Sequence, residues 1–93
     1  MIYIISYDLN KSGQDYQKLY EAIKECSTGI WIHCLDSTWL IKSYKSTSEV
    51  QRILKNAIDD NDSLLVMEVK NNYSGWLPKD VWDYLSDMFK YSL

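Results

Sequence analysis

Asp8 and Asp62 are the residues of this chain whose type and position best suit chemistry. Asp8 closes the run MIYIISYDLN, and Asp62 closes the acidic run Asp59-Asp60-Asn61-Asp62. A carboxylate at the C-terminal lip of a buried strand stands where small α/β proteins tend to place a site. Two such groups near one another can bind Mg²⁺ through oxygen ligands, because that ion keeps much of its water and takes only one or two ligands from the protein. A bound Mg²⁺ could then organise phosphodiester hydrolysis by polarising phosphate and generating hydroxide. The same residues have a plainer reading, in which Asp8 caps a βα loop and Asp62 caps a turn. Spacing alone does not choose between the two.

Other chemistry is thin. His33 is the single histidine, and no neighbour in sequence supplies a nucleophile or carboxylate beside it. It is expected toward the opposite end of the sheet from Asp8, at a surface or interface. Cys26 and Cys34 are too few for a structural zinc site and read as reduced core thiols. No Ser-His-Asp order, glycine-rich phosphate loop or HExxH-like pattern occurs. Trp31, Trp39, Trp76 and Trp82, with Tyr3, Tyr7, Tyr73 and Tyr84, could form a stacking platform for bases or could serve packing and interfaces. Tyr3, Tyr7, Tyr73 and Trp76 are the expected interface residues.

These side chains need elements to position them. The 93 residues suit one small domain, of modest stability on its own. Ile2 to Tyr7 reads as a buried strand. Tyr16, Leu19, Tyr20, Ile23 and Cys26 then repeat at helical spacing, and Gly29 is placed to close that helix in the left-handed conformation. Ile30 to Leu35 and Thr38 to Ser43 read as a hairpin turning at Asp36-Ser37. Ser46-Thr47-Ser48-Glu49 fits a capping box that opens a second helix with Val50, Ile53, Leu54, Ala57 and Ile58 inward. Leu64 to Val69 is a further strand. The order βαββαβ predicts an α+β, ferredoxin-like domain over 1–70 with antiparallel sheet order 4-1-3-2.

Residues 71–93 form an extension: a turn, a short strand over Tyr73 to Leu77, and a helix opened by Pro78 with Val81, Trp82, Leu85, Met88 and Phe89 on its apolar stripe. It is expected on the same domain or on a dimer partner. Tyr3, Ile5 and Tyr7 share one sheet face and Ile2, Ile4 and Ser6 the other. The two main helices can cover only one face, so the other is left to a second subunit, the extension, or both. Reading the third strand as parallel to the first brings Asp8 toward Lys42, Ser43, Asp62 and Ser63.

Charge narrows the partners. The net charge is −3, and Arg52 is the sole arginine among ten cationic residues. A duplex binder normally carries a basic stripe that neutralises several phosphates, and none is visible. Lys42, Lys45 and Arg52 could still gather at one sheet end as a local nucleic-acid-binding patch. No apolar run approaches the length of a membrane helix and no secretory signal opens the chain, so cytoplasmic residence without membrane association is expected.

The strand ending Tyr7-Asp8, the helix after it, and Asp62-Ser63-Leu64-Leu65-Val66 resemble CRISPR-associated protein 2 over roughly residues 1–70. That resemblance implies a homodimer packed through its sheets, with metal bound in some members at the aspartate matching Asp8. It also implies either metal-dependent cleavage of RNA or DNA or a non-catalytic scaffold role; the related virulence-associated protein D toxins cleave RNA. In that family the C-terminal segment often adds a strand across the dimer, here Tyr73 to Leu77. The family's middle-strand motif of Gln, Ser, Val and Phe is replaced by Leu35-Asp36-Ser37-Thr38-Trp39-Leu40. The ending Asn72-Tyr73-Ser74-Gly75-Trp76-Leu77-Pro78 is similar to that of small uncharacterised bacterial and phage proteins. Two functions remain open on this reading: a nucleic-acid-associated dimer with weak Mg²⁺-dependent nuclease activity, or a non-catalytic module binding a protein or nucleotide in a defence, toxin–antitoxin or phage setting.

Overall fold

The computed structural model describes residues 1–10 and 16–90. Most of the loop expected before the first helix lies outside those residues. Seven elements follow in order: β1 (Ile2–Asp8), α1 (Tyr16–Cys26), β2 (Trp31–Leu35), β3 (Thr38–Lys42), α2 (Thr47–Lys55), β4 (Ser63–Glu68) and α3 (Lys79–Lys90). The four strands form one antiparallel-paired sheet in the order β2-β3-β1-β4, the expected order read from its other edge.

Strand direction differs from the sequence reading in one respect. β3 runs antiparallel to β1, with Ile2 opposite Lys42 and Ser6 opposite Thr38. The cause is topological: the crossover through α1 makes β2 parallel to β1, and the tight hairpin forces β3 to run against both. Lys42 and Ser43 therefore lie at the start of β1, far along the sheet from Asp8. The same geometry puts His33, on β2, toward the Asp8 end and not the opposite one.

The central strand serves both faces. On one, Tyr3, Ile5 and Tyr7 join Trp39 and Ile41 beneath α1 and α2, which contribute Leu19, Ile23, Cys26, Val50 and Leu54. On the other, Ile2 and Leu40 pack with Leu85 and Met88 of α3, flanked by Ile4, Ile32, Val69, Trp82 and Phe89. The C-terminal helix is thus one cover of the second face. Residues 71–78 form no strand within the chain. Trp82 and Phe89 each stack on Tyr73, at ring separations of 5.9 and 5.4 Å.

Local signals explain the element ends. After α1, Gly29 takes φ of 103°, a region that penalises a side chain. Thr28 N–H then donates to the Lys42 carbonyl at 2.8 Å, tying the turn to β3. Ser46 caps α2: its side chain accepts from Glu49 N–H while the Glu49 carboxylate accepts from Ser46 N–H, both at 3.2 Å. Ser43 is fully buried, and its hydroxyl donates to the last carbonyl of α1, on Cys26, at 2.6 Å while accepting from Lys45 N–H at 3.1 Å. No helix among the described residues is long and apolar enough to cross a membrane.

Candidate functional site

Asp8 ends β1 opposite Ser63, exposed, on a shallow hollow of about 240 Å³ that Ser6, Tyr7, Ser63, Leu64 and Leu65 complete. Asp62 is close in sequence to that hollow but is engaged elsewhere. Its Oδ1 accepts from Asn10 N–H at 2.9 Å and its Oδ2 from Asp59 N–H at 2.8 Å. The Asn10 side chain also donates to the Asn61 carbonyl. Asp62 thus locks the turn before β4 and ties it to the segment after β1. Asp60 pairs with Lys55 at 2.9 Å on the surface; the hydrogen bond from that ammonium holds the Asp60 carboxyl below the usual carboxylate range.

The described residues assemble no dedicated Mg²⁺ centre. Among the described residues no group of three or more His, Cys, Asp or Glu side chains is placed to hold a metal. Among the described residues Asp8 has no second carboxylate directed at the same point, and each oxygen of Asp62 already faces a backbone donor.

The three basic candidates do not surround Asp8. Lys42 and the segment leading to Lys45 lie at the opposite end of the sheet, where the Lys45 carbonyl accepts from the Tyr3 hydroxyl at 2.6 Å. Lys42 borders a hollow of about 220 Å³ beneath α3 with Ile30, Tyr84, Asp87 and Met88. Arg52 is exposed in the last turn of α2. Of the four expected interface residues, Tyr3 and Tyr7 are buried in the chain's own core under α1 and α2, while Tyr73 and Trp76 are exposed.

Around His33 the structure assembles an aromatic cluster that spacing did not reveal. His33 stacks on Trp39 with centroids 4.4 Å apart and planes 15° apart, and Tyr20 meets it edge-on at 5.1 Å. The Lys24 ammonium sits 4.8 Å above the Trp31 ring. Behind them Trp39 Nε1–H donates to the Tyr7 hydroxyl at 3.2 Å, and that hydroxyl donates to the Asp36 carbonyl at 3.3 Å. His33 Nε2 lies 2.9 Å from the same carbonyl. A carbonyl only accepts, so the Nε2 proton is in place. Burial pushes the Tyr7 phenol well above the ordinary tyrosine value, so it remains a donor at neutral pH. The residues that would have signalled this cluster are Tyr16, Tyr20 and Lys24, four apart along α1 and facing the β2 edge.

The second sheet face leaves large apolar side chains exposed. α3 lies toward β2, and the β4 half is left open: Leu65 and Met67, paired with Ser6 and Ile4, are each 51% exposed. Beside it a groove of about 330 Å³ runs between sheet and helix, walled by Ile4, Leu40, Val69, Tyr73, Leu85 and Phe89 with Glu68, Lys70 and Asn72 at its rim. Trp76, in the segment entering α3, is 98% exposed. Compared with models of known protein families and with curated proteins, the chain matches none.

Proposed function

We propose that this protein is a homodimeric, non-catalytic association module on the ferredoxin-like plan, working through the open β4 half of its sheet. The carrying observation is the joint exposure of Leu65 and Met67, which lie on one face of β4. Fully burying a large apolar side chain contributes about 1.5–3 kcal/mol, so two half-exposed neighbours on one face favour a covered state. The acidic balance agrees with a protein partner better than with a phosphate backbone.

Sedimentation across a concentration series tests this reading. The native chain should shift to dimer as concentration rises, and Met67→Asp should stay monomeric with an unchanged far-ultraviolet spectrum. A native chain that is monomeric throughout would remove the reading.

A second reading, a Mg²⁺-dependent nuclease resembling CRISPR-associated protein 2, keeps support from one observation: Asp8 is exposed at a strand end on a hollow. Any second carboxylate for the ion would come from beyond the described residues. It expects cleavage of RNA or DNA with Mg²⁺ or Mn²⁺ that Asp8→Asn abolishes without unfolding the protein; absence of cleavage in both metals defeats it.

A further inference from the structure

We infer that two copies of this chain join edge to edge through β4, antiparallel about a twofold axis at Val66, to make one continuous sheet. The inference rests on the association reading above and names its contact. The two edges of the sheet are built differently. At β2 the pairing register shifts between Ile32 and Leu35, and the outermost Trp31 N–H is already taken by the Tyr84 hydroxyl at 3.2 Å. Such irregularity and coverage are how proteins keep an edge from pairing. β4 has neither. Its register with β1 is unbroken, and from Ser63 to Met67 it holds no charge, no proline and no glycine.

Backbone direction then limits the ways two β4 strands can meet. Val69 N–H donates to the Ile2 carbonyl at 2.9 Å. In an antiparallel ladder bonded pairs alternate, so Ser63, Leu65 and Met67 also bond inward to β1. Leu64, Val66 and Glu68 therefore turn their N–H and C=O groups to the outer edge. A twofold axis perpendicular to the sheet keeps the α3 face of one copy continuous with that of the other. Any axis centred on a residue keeps the bonded positions in phase; Leu65 and Val66, at the middle of Ser63–Glu68, give the fullest overlap, and charge separates these two. Centring on Leu65 sets Asp62 against Glu68 of the second copy, two carboxylates together. Centring on Val66 sets Asp62 against Lys70 of the second copy at both ends, and it lays Leu65 against Met67 of the second copy on the exposed face. The half-exposed residues of the open face thereby become cross-strand partners.

Cysteine pairing tests both contact and register. In a Cys34→Ser background, where only the buried Cys26 remains, Leu65→Cys and Met67→Cys proteins are oxidised mildly, alone and mixed. Positions 65 and 67 form a pair not bonded through the backbone, with Cα atoms about 4.5 Å apart, within disulfide reach. Linked dimer is expected in the mixture and in neither protein alone. Linkage by Leu65→Cys alone would place the axis at Leu65 and overturn the register. No linkage from a native chain that sediments as a dimer would overturn edge pairing and leave the association reading standing, whereas a native monomer at every concentration would remove both. Lys70→Glu, which sets like charges at both ends, should raise the dimer dissociation constant by about two- to fivefold; an unchanged constant would overturn the charge argument that selects Val66.

Discussion

At the residue scale, Tyr7 shows how one hydroxyl can order a corner of the molecule. It accepts from the buried Trp39 indole and donates to the Asp36 carbonyl at the hairpin turn. Tyr7→Phe keeps the ring and leaves the indole N–H without its acceptor, so unfolding free energy by urea titration should fall by about 1–3 kcal/mol. The same group sets an alkaline limit. Its folded proton affinity lies above the unfolded one, chiefly through burial, so its contribution is complete below the ordinary tyrosine pKa and is lost as pH rises past it. Denaturation midpoints should therefore drop above about pH 10, and less so in Tyr7→Phe. The sequence shows that Tyr3, Ile5 and Tyr7 share a face through their alternation. It does not show whether that face meets the chain's own helices or another copy, because alternation is identical in both cases. Asp8 is legible as a strand-end carboxylate for the same local reason, while its true neighbours depend on the direction of β3, which only the sheet's connectivity decides.

At the element scale, α2 and α3 illustrate two kinds of signal. The capping box of α2 is written in four adjacent residues and folds as written. Ser46→Ala should cost about 1 kcal/mol in thermal or urea unfolding. Glu49 adds a pH dependence: hydrogen bonding from Ser46 N–H, then from its side chain, lowers the Glu49 pKa. Its stabilising effect is therefore present above the ordinary glutamate pKa and fades as pH falls through the lowered value. Stability measured from pH 6 downward should show this limb in the native chain and lose part of it in Glu49→Gln. For α3 the apolar stripe is equally readable, with Leu85 and Met88 buried as its spacing implies. What it covers is not readable, since a stripe carries no address. Leu85→Ala should destabilise by about 2–5 kcal/mol if the helix is an integral cover of the second face, checked by urea unfolding.

At the scale of the whole molecule, one sheet with a core on each face leaves β1 as the shared wall of both. β1 lies at the beginning of the 93 residues yet its pairing with β4 joins Tyr3 to Glu68 and Asp8 to Ser63. Closing such distant pairs is entropically slow, so refolding should take on the order of milliseconds to seconds and not microseconds. Stopped-flow fluorescence of Trp39, with the other three tryptophans replaced by phenylalanine, would follow it, and completion within the instrument's dead time would contradict the expectation. During synthesis β1 emerges well before β4, so its β4 side stays unpaired the longest and the β4 edge is the last part of the sheet to acquire a neighbour.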